Sequence, residues 1–411
     1  MFWRKKNKMN KLDYVQANDM PWTYDSPQNR MIVNAVMIVD EISLKELQDI
    51  VLIRMLPHHP RLKMHVSLTK KGRCYWEDDQ GYDPVRHSYV DPKYKNVHVT
   101  KSILQTYMGE IYNRSFEDGH SPYEFILIPT YEKNQSAIII RCHHVLADGM
   151  GLLGMLFSSA DSVNDDKNKG GNRANKIAKQ KPKNWKLFFS VPFFPLYWLK
   201  ALIVTPDRNA LHSTDLVLTG DRKVSWEALS LDDVKDVKNA LGCSVNDVML
   251  ACLAGAFRNY LLETETKPSD VHVAVPISLR TSKEMANLQM YNKISVLRVG
   301  VPVSEQTPME RLKAVMKNMT KVKKSMEPVA LYAVFFVMQS ISMAVQKWAI
   351  LRGATKSTSV LTNVPGPSTQ VFYCGKAVHE IVCFVPSMGP VAVGGTLINN
   401  GITSFCVNGI S

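Results

Sequence analysis

Two adjacent histidines followed by an aspartate and a glycine form the stretch of the sequence best suited to chemistry: Arg141-Cys142-His143-His144-Val145-Leu146-Ala147-Asp148-Gly149. In an extended segment neighbouring side chains point to opposite sides, so only one of His143 and His144 can enter a given cavity. An imidazole is suited to taking a proton from an alcohol near neutral pH, because its ordinary pKa lies close to that range. Gly149 permits a tight turn or a close backbone approach. Asp148, four residues after His144, could hold the loop through a salt bridge or cap a following helix. Other chemistries are open to these residue types. Metal binding would need further ligands at suitable spacing, and a Cys142 nucleophile would point away from its neighbouring histidine on a strand. An inert strand and turn also fits the segment taken alone.

The surrounding sequence predicts elements able to position this segment. SAIIIR (136–141) reads as a buried strand delivering the histidines, with EFILIP (124–129) and NRMIVNAVMIV (29–39) as companion strands. SLKELQDIVLIRM (43–55) reads as an amphipathic helix capped by Ser43 with Glu46 at the box position, and MGLLGMLFSS (150–159) as a helix after the motif. Further on, 230–241 and 244–261 predict helices and VHVAVPISLR (271–280) a strand. The apolar segment 329–351 reads as one buried helix with a polar face at Gln339, Ser340, Ser342 and Gln346. The sequence therefore predicts a mixed α/β (α+β) protein of two parts. These are residues 1–160 and 211–411, joined by a polar basic linker with an apolar segment over 161–210.

Charge narrows the partners. A net charge of +13 suits a polyanion: nucleic acid, an anionic membrane or a phosphate-rich cofactor. No zinc-finger spacing, RNP-like aromatic motif or basic region leading into heptads is present, which argues against nucleic acid. The seven scattered cysteines lack any C-x-x-C pair and read as reduced thiols. The basic opening MFWRKKNKMNKLD has no apolar run behind it, so a secretory signal is not expected. Residues 187–204 (LFFSVPFFPLYWLKALIV) are apolar and aromatic but interrupted by Pro192, Pro195 and Lys200. They predict membrane adhesion or a buried helix, and a complete span less readily.

H-H-x-x-x-D-G resembles the signature of acyltransferases with chloramphenicol-acetyltransferase-like folds. Four later segments resemble the wax ester synthase/diacylglycerol acyltransferase family in particular. They are Asn246-Asp247 in SVNDVMLA, VPISLR (275–280), Asn292 with Ser295 in YNKIS, and TNVPGP (362–367). The resemblance implies two such domains with an active-site tunnel between them. It implies a fatty acyl group moving from acyl-CoA to diacylglycerol or a long-chain alcohol, giving triacylglycerol or wax ester, with His144 as general base. No metal or prosthetic group is implied. Asp148 is then structural, held by Arg61, Lys63 or Arg280, with His143 supporting and Gly149 completing the motif. Asn246, Asp247, Asn292, Asn363, Pro365 and Gly366 fall at substrate-side positions, where a helix cap at Asn246 and a structural turn at 363–367 are alternatives. Ser278 could donate to the oxyanion or simply end a strand. The expected setting is peripheral, on the cytoplasmic side of the endoplasmic reticulum or plasma membrane or on a lipid droplet. Non-catalytic acyl-CoA binding and transfer to a non-lipid acceptor stay open. Two departures accompany the resemblance: Ser121-Pro122-Tyr123-Glu124 stands where Pro-Leu-Trp is usual, and the family pattern usually runs on past the position of Ser411.

Overall fold

The computed structural model describes residues 13–161, 194–212, 219–264, 268–338, 340–367, 369–386, 393–399 and 402–409. Along the first part run β1 (Ile32–Asp40), α1 (Leu44–Asp49), β2 (Ser88–Val90), α2 (Lys101–Ile111), β3 (Tyr123–Tyr131), β4 (Gln135–His143) and α3 (Gly149–Ser159). Ser43 and Glu46 form the expected capping box, and the helix continues as a wider π-type turn over Ile50–Met55. After α4 (Phe194–Ile203) come β5 (Lys223–Ser230), α5 (Leu231–Leu241), α6 (Val245–Thr264), β6 (Val271–Ser278), β7 (Ile294–Val301) and α7 (Pro308–Lys324). The last described elements are α8 (Glu327–Met338), α9 (Met343–Ala354), β8 (Ser359–Pro365), β9 (Phe372–Tyr373), β10 (Lys376–Phe384), β11 (Val393–Asn399) and β12 (Ile402–Gly409).

Two six-stranded sheets organise these elements, with strand orders β9-β10-β1-β4-β3-β2 and β7-β6-β8-β11-β12-β5. β1 and β4 are buried along almost their whole length, as central strands covered on both faces must be. One face of the first sheet packs beneath α1 and α3, and the other against α2 together with Trp226 of β5. The second sheet buries one face against α6 and α7. The chain also returns late: β9 and β10 join the first sheet, so a division at residues 161–210 does not follow the sheets.

The segment 329–351 departs from the single buried helix read from sequence. It is broken into α8 and α9, with Ser342 at the N-cap position of α9. Ser340 and Ser342 stand exposed at that break, Gln346 is buried within α9, and Gln339 lies outside the described residues. The expected apolar segment 187–204 is described only from α4 onward, and its earlier residues lie outside the described part. No single helix among the described residues is long and apolar enough to cross a membrane.

Helix α3 owes its position to glycine. A Cβ on Gly154 would lie 2.3 Å from Leu288 Cβ, and one on Gly151 would lie 3.0 Å from the Gln289 carbonyl oxygen. The missing side chains let the segment carrying residues 288–292 lie directly on the helix. Gly154→Ala should destabilise the protein by about 1–3 kcal/mol through overpacking, read from denaturant unfolding. An unchanged midpoint would show that this segment can move aside freely.

Candidate active site

β4 ends at His143, and the two histidines diverge as their strand geometry requires. The Nε2–H of His143 donates to Asp25 Oδ2 at 3.2 Å, while its Nδ1 accepts the Val145 amide at the same distance. Its own amide donates to the Pro122 carbonyl, so the Ser121–Glu124 segment abuts the motif. His144 turns the other way. Its amide donates to the Met31 carbonyl at 2.7 Å, and its ring stacks on Trp22 with centroids 3.5 Å apart.

The environment of His144 selects its tautomer. Nδ1 lies 3.0 Å from Asn292 Oδ1. The Asn292 amide nitrogen is committed as a donor, to Asp19 Oδ1 at 2.8 Å and to the His144 carbonyl at 2.9 Å. With the amide so oriented, Oδ1 can only accept, and Nδ1 must carry the proton. Nε2 is left with a lone pair and has no hydrogen-bond partner among the described residues. Asp19 is in turn held by Arg61, whose Nη2 donates to its Oδ2 at 2.8 Å. An Arg61–Asp19–Asn292–His144 series thus fixes the ring from behind.

Burial pushes the His144 pKa down to about 4, with the negative charge of Asp148 and the Asn292 bond opposing the shift. The residue keeps 6 % of its surface exposed. Its neighbour Cys142 is sealed off, and burial pushes that thiol up to about 12, which removes it as a nucleophile. Among the described residues no group of His, Cys, Asp and Glu is arranged to hold a metal ion.

Asp148 has a different task. Its Oδ1 accepts the Gly151 amide at 2.9 Å and caps α3. Arg280 Nη1 donates to Oδ1 at 2.7 Å and Oδ2 at 2.5 Å, and the Lys293 amide donates to Oδ2 at 2.8 Å. Of the three cations considered from sequence, Arg280 is the partner; Arg61 is taken by Asp19. Arg280 Nη2 also donates to the Tyr291 carbonyl at 2.7 Å, so one guanidinium ties the motif loop to the segment that delivers Asn292.

The other positions spread around this centre. Gly149 faces Val364 of β8, whose Cγ2 would lie 3.4 Å from an added Cβ. An apolar cavity of about 40 Å³ opens between them, lined by Val33 and Cys142 of the first sheet, Leu152, Leu153 and Leu156 of α3, and Val364. His144 does not line it. Asn363 Nδ2 donates to Asn246 Oδ1, which brings two distant sequence segments together. Asn246 is not the cap of α6. Ser244 fills that place, its hydroxyl accepting the Asp247 amide while Asp247 Oδ2 accepts the Ser244 amide at 2.9 Å. Asp247 is thus occupied in a capping box. Ser278 lies exposed at the end of β6, with its hydroxyl accepting the Arg280 amide at 3.4 Å. Pro365 closes β8 and Gly366 follows it, half-buried. Sequence reasoning missed Trp22 and Asp19; their contacts to residues 144 and 292 have no local signature.

Comparison with known proteins gives the family. Residues 17–187 match the wax ester synthase/diacylglycerol acyltransferase catalytic domain, and residues 291–402 match the WS/DGAT C-terminal domain. Wax ester synthase/diacylglycerol acyltransferase 3 of Arabidopsis thaliana is 25% identical over 215 residues, which are 49% of this chain and 44% of that protein. The chain therefore spans less than half the length of that relative. Wax ester synthase/diacylglycerol acyltransferase 9 of the same plant is 23% identical over 410 residues, covering 87% of this chain and 80% of that protein. Among solved structures, the wax ester synthase/diacylglycerol acyltransferase of Marinobacter aquaeolei VT8 superposes with a TM-score of 0.65 at 18% identity, over 97% of this chain and 93% of that one. The fold is that of two chloramphenicol-acetyltransferase-like domains, and the chain belongs to the wax ester synthase/diacylglycerol acyltransferase family.

Proposed function

We propose that the chain transfers a fatty acyl group from acyl-CoA to a lipid alcohol, diacylglycerol or a long-chain alcohol, giving triacylglycerol or wax ester. The observation that carries this reading is the fixed tautomer of His144, which leaves Nε2 as a base. The acceptor hydroxyl gives its proton to Nε2 as its oxygen attacks the thioester carbonyl. The tetrahedral oxyanion then collapses and expels the CoA thiolate, which takes the proton back from the imidazolium. The cavity beside Gly149, with its wholly apolar lining, would suit part of an alkyl chain. The Asn246–Asn363 pair and the Pro365–Gly366 turn are proposed to lie along the acceptor's path. The net charge of +13 suits both the CoA phosphates and a peripheral place on an anionic, cytoplasm-facing membrane surface.

The test is ester formation by purified protein from labelled palmitoyl-CoA, with diacylglycerol, hexadecanol and water-soluble alcohols compared as acceptors. Tight acyl-CoA binding without turnover on any of them would overturn the catalytic reading. Asn292→Ala should lower kcat by about 10–100-fold, since losing a second-layer partner of a functional histidine costs on that order. KM should move little, because the imidazole loses its orientation and the substrate loses no contact. An unchanged kcat would separate the Asn292 bond from catalysis.

A further inference from the structure

Lys356, between α9 and β8, is a buried lysine without a counter-charge, only 4% exposed. Its carbonyl accepts Arg298 Nε at 3.0 Å, but its ammonium has no hydrogen bond or ion pair among the described residues. The carboxylate of Asp207 is beside this segment, since the Asp207 amide reaches the Lys356 carbonyl at 3.4 Å. That carboxylate has no lone pair to spare. Its Oδ1 accepts His272 Nδ1 at 2.8 Å and Arg298 Nη2 at 2.7 Å, and its Oδ2 accepts the His272 amide at 2.6 Å and the Thr358 hydroxyl at 2.8 Å. Two further cations stand close. Arg298 Nη1 is left unbonded among the described residues, and Arg352, in the last turn of α9, is exposed and unpaired among them. Burial holds the Lys356 pKa below the ordinary lysine value, and the positive charges of Arg352 and Arg298 push it the same way.

We propose that Lys356, Arg298 and Arg352 form a binding site for a phosphate monoester dianion. A charge withdrawn from water is costly unless it is paired, and here three cations meet one saturated carboxylate. The two positive charges left over match a dianion, and an ammonium beside guanidinium forks suits its tetrahedral oxygens. The site is remote from the chemistry. His272 pairs with Gly300 at this end of β6 and β7, while Ser278 pairs with Ile294 at the other, next to Asn292. Six residues of strand set the two ends about 20 Å apart. A phosphate held here does not touch the imidazole, so the site stands or falls independently of the acyl-transfer reading. Its occupant would tie β7 to the junction of α9 and β8, which the Asp207–Asn209 segment already clasps through the Thr358 hydroxyl. Binding is therefore linked to folding stability.

The experiment is isothermal titration of the full chain with inorganic phosphate, glycerol 3-phosphate and adenosine 3′,5′-bisphosphate, at fixed pH and ionic strength. Thermal unfolding at each ligand concentration accompanies it. Wild type should bind at least one of the three, with an unfolding temperature that rises with its concentration. Lys356→Met should weaken that binding tenfold or more, the usual effect of losing a charge-assisted hydrogen bond. Phosphate bound most tightly assigns the site to the free ion. Tighter binding of either ester assigns it to an ester of that kind. Binding of none, or equal affinity in wild type and folded Lys356→Met, overturns the proposal. So does an equal response of wild type to nitrate, which would be general screening rather than a site. Should Lys356→Met fail to fold, Arg352→Gln decides, because that side chain is exposed. Affinity lowered about tenfold supports the site, and unchanged affinity overturns it.

Discussion

His144→Gln should lower kcat for ester formation by a factor on the order of 10²–10⁴, the usual contribution of a positioned general base. Glutamine fills a similar volume against Trp22 but takes no proton at Nε2's place. KM for acyl-CoA should stay within a few-fold, because proton transfer is felt in the transition state rather than in binding. The assay is the initial rate of ester formation with labelled acyl-CoA, alongside thermal unfolding to show that the variant is folded. Equal rates in variant and wild type would remove the proposed base. A base held at a pKa of about 4 is weak in the resting site, but it is not asked to hold its proton alone. The imidazolium forms beside a developing oxyanion, with the negative charge of Asp148 already acting in the same direction.

The same residue carries a pH signature. The folded ring's pKa lies below its unfolded value, so as pH falls from about 6.5 to about 4 the unfolded chain binds a proton that the folded chain excludes. The contribution is present in full above that window and is lost within it, on the order of 3 kcal/mol in all. His144→Gln should flatten this part of the stability profile. In wild type the acid limb of kcat/KM should fall near pH 4 to 5 rather than at 6.5, the position expected of an exposed histidine.

Relationships between residues close in sequence are legible in the sequence itself, and those between distant residues only in part. The strand into His143, the cap at Asp148 and the box at Ser43–Glu46 depend on neighbours within a turn or two, and each is where periodicity and capping rules put it. The partner of Asp148 was a choice among three cations because sequence does not record which carboxylate each one meets. Asp19, lacking any motif of its own, takes Arg61 and leaves Arg280 for Asp148. Trp22 is a single aromatic beyond a proline, and nothing local distinguishes a ring stacked on a base from one in a core. The break between α8 and α9 was hidden for a different reason. Apolar composition reports burial, not continuity, and here Ser340 and Ser342 fall at an interruption while Gln346 stays inside α9.

Arg280→Met should be the most destabilising single change at the site, at about 3–5 kcal/mol, because it leaves the Asp148 carboxylate buried without its counter-charge. The two side chains are 0% and 1% exposed, so water cannot stand in for the lost guanidinium. Asp148→Asn should cost a comparable amount by another route. The donors converging on that carboxylate are the Gly151 and Lys293 amides and Nη1 of Arg280, and an amide NH₂ in place of one oxygen must face at least one of them. Asparagine caps helices well, so loss of the α3 cap is not the cause. Combining Asp148→Asn with Arg280→Met removes both charges and should cost less than the sum of the two, with a coupling of about 2 kcal/mol or more in denaturant unfolding. Activity should fall further than stability alone dictates. Arg280 also holds the Tyr291 carbonyl, so its loss removes one support of the segment that carries Asn292, with Asp19 still holding the imidazole's partner. The loss should therefore fall on kcat with KM little changed, at temperatures where the variant is fully folded. Additive free energies in the cycle, or a folded Arg280→Met protein with wild-type kcat, would show that the ion pair neither supports the loop nor orients the base.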